Sequence, residues 1–523
     1  MRGAGLAMAV VAVVAGALRC AMPEARQLHH DEGVNYIFVD AILTKHEYRY
    51  DPSNYHGPAL YALAAPLVDL MGASELSLRL VPMLASWLTV LLIWRWRGVV
   101  GDWGAVMAAA LLAVSPGTVY YGRDFIHESL LVLFTTAFAT YALGWLLGET
   151  AAALALASLA AALALATKET FPMSVLALAA GALLAACDPR GLSVLRRGLE
   201  RLASSWRALA ASALAAAAVL ALLMSSLGTN PRGLVDFFRA YLRWTQTGVE
   251  GATGHEKPFA YYAEVLMGQE PVLTALALAG LVLAALERRA ANLGLGGWCA
   301  ALFLLYSLVP YKTPWLVLSM LVPMALLAGL VSSRALEALE TRAGRVALAA
   351  VSIGLAGIAA HAAVGLSFRR HDDETIPYVY SQTHRQLGGL LAVLEQVAAS
   401  SGEAGELAIA VTSPDHFPLN FYLRRYKRAV FWQKLHNEDE QGVRLPLWDT
   451  RDPPPVIIAR ADQLEELKGL VEPSYRRQSY ALRPGVELVL LVRDEAARKT
   501  GEAAVWPALD SPPDDAGSAS PIQ

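Results

Sequence analysis

An acidic pair that follows the first apolar segment of the chain is the first candidate for chemistry. Asp31 and Glu32 come shortly after that segment. If the segment crosses a bilayer, both carboxylates lie at the membrane surface, where a partly dehydrated carboxylate can act as a general base. The residues alone also fit a solvated acidic loop, or a metal site formed by His29, His30 and Asp31.

A second polar group marks the start of a later apolar segment. Spacings of three and four residues predict Asp124, His127 and Glu128 on one helical face, beside Arg123. Because charges near hydrocarbon are costly, these groups need a polar partner or a water-filled cavity. They could serve a ligand, or Arg123 could pair with one of its own acids, and the sequence leaves both alternatives open.

Two lysines lie at the ends of other apolar segments. Lys168 precedes Glu169, and Lys312 lies between two prolines that interrupt the helices. Lysine suits a phosphate as a point charge, although it can also extend to lipid headgroups. Together with Arg123, these cations favour an anionic lipid as the ligand. The side chains that could support such a site are His30, Tyr36, His56, Tyr121, Asp124, His127, Glu128, Glu169 and Trp315.

The elements that must position these residues are apolar blocks, which extend to about residue 366. The 523 residues are 55% hydrophobic and only 17% charged, against roughly 25% charged in a soluble domain. A bilayer core about 30 Å thick requires about 20 apolar residues, and windows of that size predict about eleven spanning helices. They fall near 4–22, 78–97, 103–121, 125–148, 151–167, 171–187, 208–227, 271–287, 297–311, 315–331 and 346–366.

Charge in the short loops predicts the orientation of these helices. Arginines concentrate in the loops 94–103, 188–207, 287–297 and 332–345, which are therefore expected on the cytoplasmic side. The N-terminus is then cytoplasmic, and an odd number of spans places the C-terminal domain and the candidate site residues outside. A net charge of −3 gives no indication of a nucleic-acid partner.

The C-terminal part of the chain has a different pattern. The segments LAIAV (407–411), PVIIA (455–459) and VELVLLV (486–492) read as buried strands between helical stretches. We therefore predict a polytopic all-α membrane domain at 1–368, a small soluble α/β domain at 369–500 and a disordered tail at 501–523. No glycine-rich phosphate loop is present, and the three cysteines form no CxxC motif.

With these residues in view, the chain resembles the C-type glycosyltransferase (GT-C) superfamily, with the plan of protein O-mannosyltransferases and aminoarabinose transferases. The resemblance rests on the acidic first loop, on residues 55–84 and on SPGTVYYGRDFIHESLL at 115–131. Four shorter motifs look more narrowly like the flippase activity-associated proteins of archaeal and bacterial glycosylation operons: KET (168–170), PYKTPW (310–315), YVYSQT (378–383) and FPLNFYLRRY (417–426).

The resemblance implies a polyprenyl-phosphate sugar as donor, bound from the outer leaflet of the lipid bilayer of the cell membrane. It assigns Asp31 as the base for an acceptor hydroxyl, with Glu32 beside it, and Arg123, Lys168 and Lys312 to the donor phosphate. The acceptor is unknown. No cofactor is firmly implied, a divalent metal is compatible with the motifs, and envelope-glycosylation proteins could be partners. The alternative is a non-catalytic or translocating component that handles lipid-linked saccharides.

Overall fold

The computed structural model describes residues 2–46, 48–247, 255–402, 405–438, 444–449, 451–468, 470–471 and 474–499. These residues form two compact units. Unit 1 contains residues 1–25 and 35–380, and unit 2 contains residues 26–34 and 381–523, within the described limits. The predicted disordered tail, 501–523, lies outside the described residues.

Unit 1 is built from helices. Their bounds, with the first turn of α2 belonging to unit 2, are α1 (Arg2–Cys20), α2 (His30–Lys45), α3 (Ala59–Met71), α4 (Glu75–Leu92), α5 (Arg97–Val100), α6 (Asp102–Val114), α7 (Pro116–Tyr121), α8 (Glu128–Leu146), α9 (Ala151–Leu165), α10 (Phe171–Ala185), α11 (Pro189–Ser204), α12 (Trp206–Met224), α13 (Gly233–Thr247), α14 (Tyr261–Gln269), α15 (Pro271–Glu287), α16 (Ala290–Leu308), α17 (Leu318–Ala338) and α18 (Arg342–Val364).

The chain is a multi-pass membrane protein. Among the described residues, seven helical stretches are long and apolar enough to cross a bilayer, and the pair α14–α15, bent by 116°, would make an eighth. The count of about eleven is too high, because the predicted spans at 103–121, 151–167 and 171–187 contain the shorter helices α6, α9 and α10. At 13 to 15 residues, these helices are only about 20–22 Å long, against a core of about 30 Å.

Close helix packing in unit 1 depends on glycine at particular crossings. A Cβ atom on Gly104 of α6 would lie 2.6 Å from the carbonyl oxygen of Gly329 on α17. A side chain on the partner helix would be equally crowded, because a Cβ atom on Gly329 would lie 2.3 Å from the carbonyl oxygen of Gly104. Small residues let membrane helices approach in this way, and dispersion contacts between the helices then supply the stabilisation.

Unit 2 is an α/β domain around a five-stranded sheet of order β2-β1-β5-β7-β6. The pairs β1–β2 and β1–β5 are parallel, while β5–β7 and β6–β7 are antiparallel. Its strands are β1 (Ile409–Val411), β2 (Ala429–Phe431), β3 (His436–Glu438), β4 (Arg444–Pro446), β5 (Val456–Arg460), β6 (Tyr475–Arg483) and β7 (Val486–Arg493), and its helices are α19 (Gln386–Ser401), α20 (Leu419–Tyr422), α21 (Leu464–Lys468) and α22 (Asp494–Lys499).

Side-chain alternation, with both faces of the sheet covered, explains why the central strands β1, β5 and β7 are mostly apolar. In β7, Leu488 and Leu490 pack with α19 on one face of the sheet, while Val489 and Leu491 pack with Leu467 on the other. Successive strand residues point to opposite faces, so a strand covered on both sides reads as one apolar run. That run predicted all three central strands. Sequence analysis did not identify β6, which lies at the sheet edge and has four polar residues in succession, 476–479.

We expect alanine at position 329 to lower the thermal stability of the protein in detergent. The added Cβ meets backbone rather than a flexible side chain, and such overpacking costs about 1–3 kcal/mol. Gly354→Ala is the matched control, because a Cβ atom there meets nothing within 4 Å and alanine favours helix by up to about 1 kcal/mol. Equal melting temperatures for Gly329→Ala and Gly354→Ala would contradict this account of the α6–α17 crossing.

Candidate active site

The acidic pair lies on a stretch of chain, residues 26–34, that is built into unit 2; we call it the first-loop segment. Side chains just before α19 form hydrogen bonds with backbone carbonyls of this segment. The hydroxyl of Thr383 donates to the carbonyl of Leu28 at 2.6 Å, and the amide of Gln382 donates to the carbonyl of Gln27 at 3.1 Å. The YVYSQT motif therefore supplies two of the bonds that fix the acidic loop.

The FPLNFYLRRY motif holds the other end of the first-loop segment. The backbone amide of Leu28 donates to the hydroxyl of Tyr422 at 2.8 Å, and the side-chain amide of Asn420 donates to the carbonyl of Gly33 at 2.8 Å. A Cβ atom at Gly33 would lie 2.8 Å from the Cα atom of Pro418, so only glycine permits this approach. Two motifs distant in sequence thus converge on one short segment.

Within the segment, the two acids have different environments. Glu32 is 0% exposed, and its carboxylate accepts from the backbone amide of His29 at 2.7 Å. The ring of His29 in turn accepts from the backbone amide of Asp31 at 3.0 Å. This reciprocal arrangement resembles a capping box, and a carboxylate at a helix N-terminus is also favoured by the helix dipole. The side chain of Asp31 is 40% exposed and faces outward from a fixed backbone.

His30 is fixed by an arginine–aspartate network in unit 2. Arg483 donates to Nδ1 of His30 at 2.9 Å and to Asp415 at 2.6 Å. Asp415 also accepts from Arg460 at 3.0 Å, and the His30 ring packs edge-on against Phe417. Burial lowers the pKa of His30 to about 4, with the positive charge of Arg483 contributing to the shift. The ring is therefore neutral near pH 7 and can accept the hydrogen bond.

A separate set of polar residues in unit 1, which we call the polar cluster, contains the half-buried His56 and the buried His127, Glu128, Lys168 and Glu169. Lys168 forms an ion pair with Glu128, and Nδ1 of His56 lies 3.0 Å from Glu169. Burial opposes the charge on Lys168, but Glu128 and Glu169 raise its pKa above the ordinary value. Burial would raise the pKa of Glu169, yet His56 and Lys168 hold it below its usual value.

The polar cluster is held together by backbone hydrogen bonds between residues 57–59, at the end of YHGP (55–58), and residues 166–167, just before KET (168–170). The amide of Gly57 donates to the carbonyl of Thr167 at 3.0 Å, and that of Ala59 donates to the carbonyl of Ala166 at 2.9 Å. A Cβ atom on Gly57 would lie 2.0 Å from the Ala166 carbonyl oxygen. The cluster's charges compensate one another, so Lys168 is engaged in an internal ion pair.

The prediction that Asp124, His127 and Glu128 share one helical face is wrong. Helix α8 begins only at Glu128, and residues 122–127 form turns. The backbone of this stretch is satisfied outside a helix, because the carbonyl of Phe125 accepts from Asn35 at 2.8 Å. Burial lowers the pKa of His127 well below its ordinary value, with His56 and Lys168 adding to the effect.

Arg123 serves the end of the first helix. Its guanidinium donates to the carbonyls of Leu18, Arg19, Ala21 and Met22 at 2.5–3.1 Å, and the residue is 1% exposed. The last carbonyls of an α-helix have no partner within the helix, and a cation there also complements the dipole. These contacts give the predicted assignment of Arg123 to the donor phosphate no support.

Lys312 has a different set of contacts. It is 1% exposed, and its ammonium donates to the carbonyls of Lys257 at 3.1 Å and Val309 at 2.5 Å. No carboxylate in the described ranges forms an ion pair with it. The backbone amide of Lys312 donates to the carbonyl of His255 at 2.9 Å, which joins the PYKTPW loop to residues 255–257. Burial lowers the pKa of Lys312.

The remaining predicted residues lie in unit 1. Tyr121 donates to the carbonyl of Tyr378 at 2.8 Å and packs against Trp315, while Tyr36 reaches Asp40 at 3.4 Å. Asp124 is buried in the turn after α7. Unit 1 thus gathers His56, His127, Glu128, Lys168 and Glu169, whereas His30, Asp31 and Glu32 lie in unit 2. Sequence reasoning missed Arg483 and Asp415, which carry no local motif.

The residues of the described ranges do not fit a metal site. No group of three or more His, Cys, Asp or Glu side chains among them is arranged to hold a metal ion. In particular, His29 uses its Nδ1 to accept from the Asp31 amide, and His30 uses its Nδ1 to accept from Arg483. We therefore derive no catalytic step through a metal.

Comparison with solved structures identifies the fold. The chain is similar to ArnT from Cupriavidus metallidurans bound to undecaprenyl phosphate, with a TM-score of 0.62, 16% identity and coverage of 93% of this chain and 97% of that one. It is also similar to the oligosaccharyltransferase AglB from Archaeoglobus fulgidus, in complex with an inhibitory peptide and a dolichol-phosphate (TM-score 0.53, 14% identity, 96% and 77% covered). A second structure of that enzyme, with Zn and sulfate, gives a TM-score of 0.52, 14% identity and coverage of 95% and 76%.

The chain therefore has the fold of ArnT and AglB, which is the fold that the resemblance of its motifs to the C-type glycosyltransferases implied. Residues 55–224 match the sequence model of the dolichyl-phosphate-mannose-protein mannosyltransferase family. That range contains the YHGP, GRD and KET motifs. No curated protein sequence matches the chain. The narrower likeness to the flippase activity-associated proteins stays a prediction.

We expect stability to fall as the pH drops from about 6.5 to about 4, in part because of His30. Its pKa in the folded protein, about 4, lies below its ordinary value of 6.5, so the unfolded chain takes up the proton first. His30→Gln keeps an acceptor for Arg483 but does not titrate, and should flatten the decrease in melting temperature over this range. The exposed His46 provides the matched control, since His46→Gln should retain the wild-type slope. Identical slopes for all three proteins would refute the assignment.

Proposed function

We propose that the chain is a membrane glycosyltransferase that transfers a sugar from a polyprenyl-phosphate donor to an acceptor hydroxyl on the extracytoplasmic face of the cell membrane. The N-terminus would be cytoplasmic and unit 2 extracytoplasmic. The observation that carries the proposal is the first-loop segment, where two sequence motifs and a buried glutamate fix the backbone around one exposed carboxylate, that of Asp31.

In this reaction, Asp31 acts as general base. The acceptor oxygen forms a bond to the anomeric carbon of the sugar as the bond from that carbon to the phosphate oxygen breaks. Asp31 receives the hydroxyl proton, and the polyprenyl phosphate leaves with the bonding electrons. A base that contributes in this way must lie within about 3 Å of the hydroxyl in the reactive complex. Glu32 then has a positioning role, because its carboxylate is occupied by the His29 amide.

The departing phosphate needs positive charge nearby, and Lys312 is the best candidate of the three predicted cations. Arg123 is engaged by four carbonyls, and Lys168 is paired with Glu128. Among the residues that the structure describes, Lys312 has only backbone carbonyls as partners. A phosphate oxygen could replace one of them and add the attraction of an opposite charge to the hydrogen bond.

The alternative function, a translocating or flippase-associated component, receives no support from the described residues. A translocator should line a path near the bilayer centre with polar or ionisable groups. His361 in α18 is an ionisable residue within a candidate span, but its side chain is exposed rather than enclosed. No described residue is assigned to a divalent metal such as the Zn of the oligosaccharyltransferase structure. Envelope-glycosylation proteins are the partners that we propose.

Asp31→Asn should reduce sugar transfer at least 10²-fold, the smaller end of what a general base contributes, while donor affinity changes less than about twofold, because uncharged asparagine occupies the same volume. The assay uses purified full-length protein, undecaprenyl-phosphate sugars with a labelled sugar, and envelope extract as the source of acceptor. Asp449→Asn is the matched control, since that exposed carboxylate only accepts from a turn amide at 2.9 Å.

The same assay with and without EDTA tests the metal. Loss of activity on chelation, restored by zinc or magnesium, would add a metal to the proposal. Wild-type transfer by Asp31→Asn would exclude Asp31 as the base. If no protein transfers sugar, but deleting the gene depletes lipid-linked sugar from the outer leaflet, the translocation alternative is correct.

Lys312→Met should weaken donor binding roughly 10- to 100-fold, the range for a lost hydrogen bond to a charged group. The variant should still fold, and its melting temperature is measured alongside. Lys312→Arg keeps the charge and should recover part of the affinity. The exposed Lys45 at the end of α2 provides the control variant Lys45→Met. Binding is measured as quenching of protein fluorescence by undecaprenyl phosphate. Unchanged affinity in Lys312→Met would mean that other groups hold the phosphate.

A further inference from the structure

A cavity of about 510 Å³ lies among α8, α10, α11 and α16 in unit 1, away from the polar cluster. Every residue that lines it is apolar or glycine, and Phe138, Val175, Leu195 and Trp298 represent the four helices. An apolar cavity of about 150 Å³ stays dry and binds benzene, so this one would take about 20 hydrocarbon carbons by the same ratio. Its chemistry and size suit a fatty-acyl chain.

The depth of the cavity matches one leaflet of a bilayer. Its lining residues fall at 138–147 in and after α8, 175–185 in α10 and 290–298 in α16, which are the second half of α8, most of α10 and the first half of α16. About ten helical residues rise ~15 Å, or half of a hydrocarbon core about 30 Å thick. A chain bound along the cavity would therefore have about the length of one leaflet, and the end of the cavity beside α11 lies at the arginine-rich loop 188–207, which is predicted to be cytoplasmic.

Helix α11 closes the surface end of the cavity. Its Gly191, Val194 and Leu195 contribute to the lining. A Cβ atom on Gly191 would lie 2.0 Å from the carbonyl oxygen of Ala185, and one on Gly198 would lie 2.3 Å from Cδ2 of Leu146. These two glycines let α11 lie directly against the ends of α10 and α8.

The same helix carries a row of arginines beside the cavity-lining face. Arg190, Arg197 and Arg201 are seven and four residues apart, which places them on one side of α11. Arg201 is fixed, because it donates to the carbonyls of Trp145 at 2.5 Å and Glu149 at 2.7 Å. In the described part of the chain, neither Arg190 nor Arg197 forms an ion pair, and both are exposed.

We propose that this cavity and the arginines of α11 form a binding site for an anionic membrane phospholipid. One acyl chain of the lipid fills the cavity, and its phosphate lies between Arg190 and Arg197. Arginine binds phosphate oxygens through its planar fork of donors, and the apolar walls supply the remaining affinity through burial of the chain. The site is distinct from the candidate active site, and it requires no sugar transfer.

The test is native mass spectrometry of the purified full-length protein, titrated with phosphatidylglycerol or phosphatidylcholine. Wild type should retain one phosphatidylglycerol with at least tenfold preference over phosphatidylcholine. The double variant Arg190→Gln/Arg197→Gln should lose about 10- to 30-fold in phosphatidylglycerol affinity, given the usual contribution of each arginine near an anionic headgroup. The double variant Arg342→Gln/Arg345→Gln is the matched control, because it removes two exposed arginines from the start of α18.

A second pair of variants tests the cavity itself. Ala182→Trp fills it, and should abolish retention of the lipid, whereas Ala217→Trp on the exposed face of α12 should not. Should Ala182→Trp fail to fold, Ala142→Phe fills the same space from α8. Equal retention of both phospholipids by wild type, or unchanged binding in the arginine and cavity variants, would overturn the proposal. Displacement of phosphatidylglycerol by equimolar undecaprenyl phosphate would also overturn it, and would assign the cavity to the donor lipid.

Discussion

Burial of charged side chains at the ends of apolar helices is the constraint on which the structure depends most. A charge taken out of water must gain hydrogen bonds or an opposite charge, or its desolvation is not compensated. Arg123 meets this requirement through the terminal carbonyls of α1, Lys168 through Glu128, and Glu32 through an amide at the start of α2. In each case, the compensating contacts also join segments that are distant in sequence or fix the direction of a helix.

Seen in this way, the polar residues near the membrane helices have two uses. One group satisfies unpaired backbone or neighbouring charge, and these side chains are enclosed with their hydrogen-bonding capacity engaged. The other group is not engaged in this way. Asp31 belongs to the second group, since its neighbours His29 and Glu32 fix the backbone while its own carboxylate stays partly exposed. The geometry thus separates two adjacent acids that are chemically almost identical.

The sequence predicted the architecture well because its main signals are local. Long apolar blocks identify the membrane helices, and short apolar runs identify β1, β5 and β7, since each pattern reflects the solvent on both sides of the element. The number of complete spans was less certain, because α6, α9 and α10 are apolar but short. The edge strand β6 gave no such run, because four successive polar residues interrupt its apolar ones.

The site was harder to predict, and the reason is physical. Residue type and position at the ends of apolar segments marked Asp31, Glu169 and Lys312 as candidates, but partner choice depends on tertiary contacts. Nothing local indicates that Arg123 would bind the carbonyls of α1, a hundred residues earlier in the chain. The link between His30 and Arg483 spans 453 positions and carries no spacing signal. Motifs located the candidate residues, and only the fold assigned their uses.

The arginines at the opposite end of the helices can also be divided by whether they have hydrogen-bond partners. Arg201 resembles Arg123 in that it donates to carbonyls at the end of a neighbouring helix, whereas Arg190 and Arg197 are exposed beside an apolar cavity. Stability of the helix gains little from such exposed like charges, which repel one another along α11. Retaining them is reasonable if phosphate groups of the bilayer neutralise them. A helix with apolar residues toward the cavity and arginines at its edge is suited to bind both parts of a phospholipid, the acyl chain and the charged headgroup.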